Sequence, residues 1–355
     1  MKMQLLPREY VLMALDHKQT DRVPLDFWAT PEVIEKLKTH FNTTEYDVIL
    51  EKLHIDVRQY QPDYIGPEIR YEADGSYFDP MGVHRKPQAN DFCVYEEYAS
   101  APLGYVNSLA DFESYTRWPD IDQYDFKGLA DKIGDAHDTY YIKIETGGLF
   151  ELAWALRGYE QFVIDMITAP DIAKYIMQKL TDFYCGYVTR AMTYAGDKID
   201  MVYTYDDIAT QRSLLMSPAT WADVIKPYHE QLNKVIKSFG KTIMYHSCGS
   251  VVDMIPALIK LPIDVLNPLQ PLAAGMDFES IKERYGDQIA FHGGIDIQHL
   301  LPHGTPQEIE NTVKKTVDIL ARNGGYILSS AHYIQADTPI ENIVALYETA
   351  ANYSI

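Results

Sequence analysis

Residues 217–249 read SPATWADVIKPYHEQLNKVIKSFGKTIMYHSCG. Ser217-Pro218 is a helix opening, because a serine hydroxyl can accept an otherwise free N–H and proline is tolerated in the first turn. The helical stretch runs to about Phe239, and Gly240 ends it. TIMYH at 242–246 then has the short, apolar, β-rich composition of a strand buried on both faces. Helix, glycine turn and strand in this order make the repeating unit of a parallel α/β fold.

Working outward from this unit, eight such strands can be counted. They are residues 23–27 (VPLDF), 55–60 (IDVRQY), 140–145 (YYIKIE), 201–205 (MVYTY), 242–246 (TIMYH), 264–269 (DVLNPL), 289–293 (IAFHG) and 326–330 (YILSS). Helical stretches fall between them, at 31–41 behind Thr30-Pro31, at 170–194, at 218–239, from Thr305-Pro306 to Asn323-Gly324-Gly325, and from Thr338-Pro339 onward. Eight strands alternating with helices predict a (β/α)8 TIM barrel formed by residues 1–355 as a single domain, with a helix before the first strand. Residues 63–120 break the rhythm. There IRYEADGSYFDPMGVHRK predicts a β-hairpin inserted after the second strand, turning at Asp74-Gly75 and capping one barrel end. An open doubly wound sheet is the competing fold, but no GxGxxG follows the first strand.

Composition narrows the function. The 355 residues are 46% hydrophobic and 23% charged, the balance of a protein with ample core. Lys and Arg number 31 against 51 Asp and Glu, a net charge of −20. That argues against binding nucleic acid or anionic lipid, both of which need a basic face. No apolar run approaches the ~20 residues of a membrane span, and MKMQLLPREYVLMALDHKQTDR lacks a signal-peptide core, so a cytoplasmic location is expected. The three cysteines, Cys93, Cys185 and Cys248, cannot all pair and form no CxxC. The 27 tyrosines suit an aromatic-lined pocket.

In a barrel of this kind the chemistry gathers at the C-terminal strand ends. Those ends carry Asp26 and Trp28, Gln59, Glu145, Asp206 and Asp207, His246 and Cys248, Asn267, His292, and His332. His246-x-Cys248 is the sharpest feature. Imidazole and thiolate are good zinc ligands, a catalytic zinc takes three protein ligands, and His332 is the candidate third. Glu145, Asp206 or Asp207 can fill the fourth position. An isolated His-x-Cys equally describes a packed thiol beside a hydrogen-bonded imidazole, or a nucleophilic cysteine. Cys93 and Cys185 read as packing residues, His292 as a loop-holding or substrate-facing residue, and Asp206-Asp207 as a site pair or a loop cap.

The segments PREYVLMALDHKQTDRVPLDFW, GGLFELAWALRGYEQF, YDDIATQRSLLMSPATW, MYHSCGSVVDMIP, LNPLQP, FHGGIDIQHLLPHGTPQEI and GGYILSSAHYIQADTPIENI, in this order, resemble the uroporphyrinogen decarboxylase superfamily. The resemblance covers nearly the whole chain and is strongest to the zinc-dependent, corrinoid-linked methyltransferase branch. It implies the same (β/α)8 barrel, and superfamily members often form dimers, so a homodimer is an expectation. Two departures matter. The decarboxylase carries an arginine-bearing motif after its first strand, whereas this chain has Phe27-Trp28-Ala29-Thr30-Pro31, a poor host for a porphyrinogen octa-anion. Members that methylate thiols use His-x-Cys plus a distant second Cys, whereas the matching position here is His332.

The pattern therefore resembles the O-demethylase group. It implies zinc held by His246, Cys248 and His332, polarising the oxygen of a small methylated, methoxyaromatic donor. A corrinoid protein docked on the open barrel face would take the methyl group. Glu145 or Asp207 is the expected acid for the leaving oxygen. Trp28, Tyr64, Tyr203, Tyr205 and Tyr333 are expected to stack on the donor ring, with Asp206, Asn267 and His292 as further substrate contacts. The alternatives are a methyltransferase acting on coenzyme M, methanol or a methylamine, a metal-free decarboxylase of a small acid, and a non-enzymatic scaffold.

Overall fold

The structure, a computed structural model, describes residues 5–90 and 92–355. Seven parallel strands form one sheet in chain order: Val57–Gln59, Tyr141–Glu145, Met201–Tyr205, Thr242–His246, Val265–Leu269, Ala290–Ile295 and Tyr326–Ser330. Each is one of the expected strands, displaced by two residues or fewer at its ends.

The expected first strand, residues 23–27, is not a regular strand. It is an extended segment held by isolated parallel bridges, Leu25 to Leu328 and Ala29 to Ile334. Asp26 N–H donates to Leu328 O and Leu328 N–H to Pro24 O, both near 3 Å. On its other side Asp56 N–H donates to Leu25 O, but Leu25 N–H donates to the Asp56 carboxylate where a ladder would use a carbonyl. Pro24 has no N–H to offer. Side-chain substitution and proline thus interrupt the ladder, while the segment still spans the gap between the sheet's two edges.

Strand residues alternate between two cores. Val57, Tyr141, Met201, Met244, Val265, Ala290 and Ile327 fill the barrel interior, and Val11 of the N-terminal helix Pro7–Leu15 joins the same cluster. That helix plugs the N-terminal mouth, anchored by an Arg8–Asp200 ion pair at 2.6 Å. The opposite strand faces pack under the outer helices in a second, larger cluster. Pro31–Phe41 and Pro170–Ala195 form where expected. The helix expected over 218–239 is two helices, Pro218–Val224 and Lys226–Ser238, because Pro227 cannot donate to the preceding turn. The Ser217 hydroxyl accepts Thr220 N–H as the opening predicted.

The insertion is richer than one hairpin. Asp74-Gly75 does turn, with Gly75 at φ +83°, but residues before it reach only an isolated Tyr71–Tyr77 bridge. The real sheet is three antiparallel strands, Tyr77–Phe78, His84–Ala89 and Val94–Ser100. Tyr95 OH donates to Gln335 Oε1 at 2.9 Å and Tyr98 packs on Trp154 at 4.7 Å, so this sheet overhangs the C-terminal rim. Among the described residues no helix is long and apolar enough to cross a membrane.

Candidate metal and methyl-donor site

His246 ends its strand, Cys248 follows two residues later, and His332 lies just past the last strand. One ligand atom from each lies within 4.8 Å of the others. Cys248 Sγ is 3.3 Å from His246 Nε2. Two ligands of a tetrahedral zinc, at roughly 2.0 and 2.3 Å, would sit about 3.5 Å apart. The two-imidazole, one-thiol donor set and its spacing therefore fit the ion.

Burial, with His246 alongside, lowers the His332 pKa to about 4, and burial also lowers that of His246, so both imidazoles are free to ligate. Burial and the nearby Asp207 and Glu151 push the Cys248 thiol up. The bare pocket thus favours the thiol, and a cation in the cluster would reverse that balance.

The candidate acids separate by strand parity. Asp207 points to the cluster: its Oδ1 accepts Cys248 N–H at 2.7 Å and lies 3.6 Å from His246 Nε2. Asp206 does not. It is fully buried and accepts the N–H groups of Phe150 and Glu151 at the start of the helix Leu149–Arg157, with His229 Nε2 at 2.5 Å. It is a helix cap rather than a substrate contact. Glu145 accepts from Gln59 Nε2 at 2.8 Å, and burial raises its pKa while Gln59 and Lys143 oppose the rise.

The aromatic expectations divide likewise. Trp28 is central, with its ring 6.0 Å from His246 in a stacked arrangement, 5.2 Å from Tyr203 and 5.5 Å from Tyr333. Tyr205 continues the wall 5.7 Å from Tyr203, and Tyr333 is 5.4 Å from His332. Tyr64 is not among them. It pairs with Tyr124 in the short sheet of Asp63–Tyr64 and Tyr124–Asp125 and bonds Pro67 O and Gln123.

Asn267 and His292, expected to meet substrate, are 1% and 0% exposed. Asn267 bridges the two imidazoles: Oδ1 lies 2.5 Å from His246 Nδ1 and Nδ2 lies 2.5 Å from His292 Nδ1. His292 Nε2 in turn lies 3.0 Å from Asp26 Oδ2, which also accepts from Trp28 Nε1 at 2.8 Å and Lys143 Nζ at 2.5 Å. Hydrogen bonds of this kind fix the orientation of an imidazole, as they do behind metal-bound histidines.

Sequence reasoning missed Lys143 and Glu151. Lys143 was legible as a lysine inside an otherwise apolar barrel strand, at the inward parity. Glu151 carried no such signal. It sits on the helix capped by Asp206, and burial, then Asp207 and Asp206, push its pKa up to about 7.

Two openings reach this region. A cavity of about 240 Å³ is bordered by Cys248, His332, Gln270 and Leu272. A second, of about 610 Å³, lies where residues 26–29 diverge from Val57–Gln59, and Trp28, Tyr333 and Lys143 line it.

A family model described as uroporphyrinogen decarboxylase (URO-D) matches residues 110–353. A methylated-thiol–coenzyme M methyltransferase of Methanosarcina mazei is 24% identical over 201 residues, 55% of this chain and 49% of that protein. A uroporphyrinogen decarboxylase of Coxiella burnetii is 22% identical over 189 residues, 52% and 49% of the two chains. The methylcobamide:CoM methyltransferase MtbA of Methanosarcina acetivorans is 22% identical over 206 residues, 58% and 56%. The chain thus spans about half the length of the curated relatives it matches. A solved methyltransferase from Methanosarcina mazei superposes with a TM-score of 0.69 at 17% identity, covering 99% of both chains. That likeness shows the shared barrel fold.

Proposed function

The chain belongs to the uroporphyrinogen decarboxylase (URO-D) family, and within it we propose a zinc-dependent methyltransferase that moves a methyl group from an aryl methyl ether to a corrinoid partner protein. The observation that carries this reading is the His246, Cys248 and His332 cluster at the barrel rim. The names of the methyltransferase relatives support the reaction class. The absence of arginine from residues 27–31 speaks against a porphyrinogen substrate. The same reading makes the chain one barrel domain, with residues 63–120 partly covering the face on which the corrinoid protein docks.

His246 Nε2, Cys248 Sγ and a His332 ring nitrogen would hold the zinc, which supplies Lewis acidity toward the ether oxygen. Trp28, Tyr203, Tyr205 and Tyr333 seat the aryl ring and exclude water around it. Breaking the methyl–oxygen bond leaves the electron pair on oxygen while the methyl carbon passes to the partner's corrinoid. Glu145 holds a proton more tightly than an ordinary carboxyl and can give it to that oxygen, giving a phenol. Asp207, tied to the Cys248 N–H, is the second candidate for this step. The aromatic wall and the strand ends fix the alignment that an in-line transfer demands.

A thiol as the methyl partner is the second reading, favoured by the relatives' names. Cys248 is the single sulfur of the cluster, and one thiolate with two imidazoles leaves zinc more electrophilic than two thiolates would. The test is phenol release from a panel of methoxyarenes with reduced corrinoid protein, run beside a methylated-thiol panel. Turnover of the ethers that disappears in His246→Ala is expected. Turnover of thiols alone, or full ether turnover by the variant, would sink the ether reading.

A further inference from the structure

We propose that Lys143, Asp26, His292 and Asn267 form a one-way hydrogen-bond relay that sets the tautomer of His246, leaving its Nε2 lone pair bare before a metal arrives. The inference rests on the reading of His246, Cys248 and His332 as a metal site.

The polarity follows from the far end. Asp26, 4% exposed, is a carboxylate and can only accept, so the His292 nitrogen 3.0 Å away, Nε2, carries the proton. The Asn267 amide nitrogen, which can only donate, lies 2.5 Å from His292 Nδ1, so that ring nitrogen is the lone pair. Asn267 must turn its NH2 to that lone pair and its oxygen to His246. His246 Nδ1 must then donate, and a neutral imidazole has one proton to give. Nε2 is left bare, 3.3 Å from Cys248 Sγ. Each hydrogen bond dictates the direction of the next, and its central members, Asn267 and His292, are at most 1% exposed.

Lys143 makes this direction stable. Its Nζ sits 2.5 Å from the same Asp26 oxygen and supplies the positive charge that the carboxylate requires. Without it, Asp26 would draw a second proton onto His292. Nδ1–H of His292 would then donate, the Asn267 amide would turn over, and its NH2 would face His246. His246 would have to carry its proton on Nε2, the nitrogen the metal needs. Lys143, Asp26, His292 and Asn267 are therefore positioning residues that act through His246.

The test reads tautomers directly, by long-range ¹H–¹⁵N correlation of histidine-labelled, metal-free protein, and zinc affinity by competition with a chromophoric chelator. In the natural protein His246 should be protonated on Nδ1 and His292 on Nε2. Lys143→Met should move the His246 proton to Nε2 and weaken zinc binding roughly 10- to 100-fold, and Lys143→Arg should restore both. Asn267→Leu removes the acceptor and should weaken zinc by a similar factor, with folding checked by circular dichroism. A natural protein with His246 protonated on Nε2 overturns the relay, whatever the variants do. So does a folded Lys143→Met with unchanged tautomer and zinc affinity within about twofold. The expected tautomers in a protein that binds no zinc would uphold the relay and overturn the metal reading.

Discussion

Glu151→Gln should stabilise the metal-free protein in a pH-dependent way. Burial, with Asp207 and Asp206 nearby, raises this carboxyl from the ordinary 4.5 to about 7. The unfolded chain loses the Glu151 proton near pH 4.5, whereas the folded chain keeps it to about pH 7. Between those values the native state binds more protons, so stability falls as pH rises through the window. At about 1.4 kcal/mol per pH unit, the full cost to the natural protein above pH 7 is ~3 kcal/mol. Glutamine fills the same space without the charge. Its advantage should be under about 1 kcal/mol at pH 5 and about 3 kcal/mol at pH 8.

Denaturant unfolding of both proteins, stripped of metal by chelation, measures this from the free energies at the two pH values. An advantage equal at pH 5 and pH 8 would refute the reasoning, because it would mean that Glu151 ionises in the folded chain as it does in water. A second arm adds zinc. A cation among Cys248, His246 and His332 favours nearby negative charge, so the pH 8 advantage of glutamine should shrink on loading.

Elemental analysis should find about one zinc per chain in the natural protein and none in His246→Ala/Cys248→Ala; equal metal in both would remove the cluster from the mechanism. Asp206→Ala should lower unfolding free energy by roughly 2–4 kcal/mol, since two helix-start N–H groups and a buried imidazole lose their acceptor. Its zinc content should stay intact, and calorimetry beside metal analysis separates this from the loss of zinc expected if Asp206 were a ligand. His332→Cys should retain zinc yet slow ether turnover at least about tenfold, because a second thiolate makes the ion a weaker acid; an unchanged rate would detach ligand identity from substrate choice.

Seven of the eight staves were legible because strands buried on both faces write themselves as apolar, β-branched runs between helix openings and glycine stops. The first run, VPLDF, has the right composition but the wrong partners: Asp56 takes the Leu25 N–H through its side chain. No local pattern announces a ladder bond diverted to a carboxylate thirty-one residues away. The overhanging sheet was half legible for a related reason. Val94–Ser100 reads VYEEYAS and is mostly exposed, so it lacks the apolar alternation by which strands are recognised.

The site residues were read from strand-end position alone, and counting parity along each strand sorts them further. In Met201–Tyr205 the residues 201, 203 and 205 face the interior, so continuing the alternation sends Asp207 inward to Cys248 and Asp206 outward to a helix start. Adjacent aspartates with the same chemistry thus acquire opposite roles from a backbone period of two. The same count along Tyr141–Glu145 places Lys143 inside the barrel below Glu145, and along residues 25–28 it places Asp26 below Trp28. Depth is what parity cannot supply. Asn267 and His292 do point inward, but Asn267 pairs in register with His246 and both are at most 1% exposed, so they bond the His246 imidazole and Asp26 instead of facing the pocket. Strand register fixes that depth, and register is a property of pairs of strands rather than of either sequence alone.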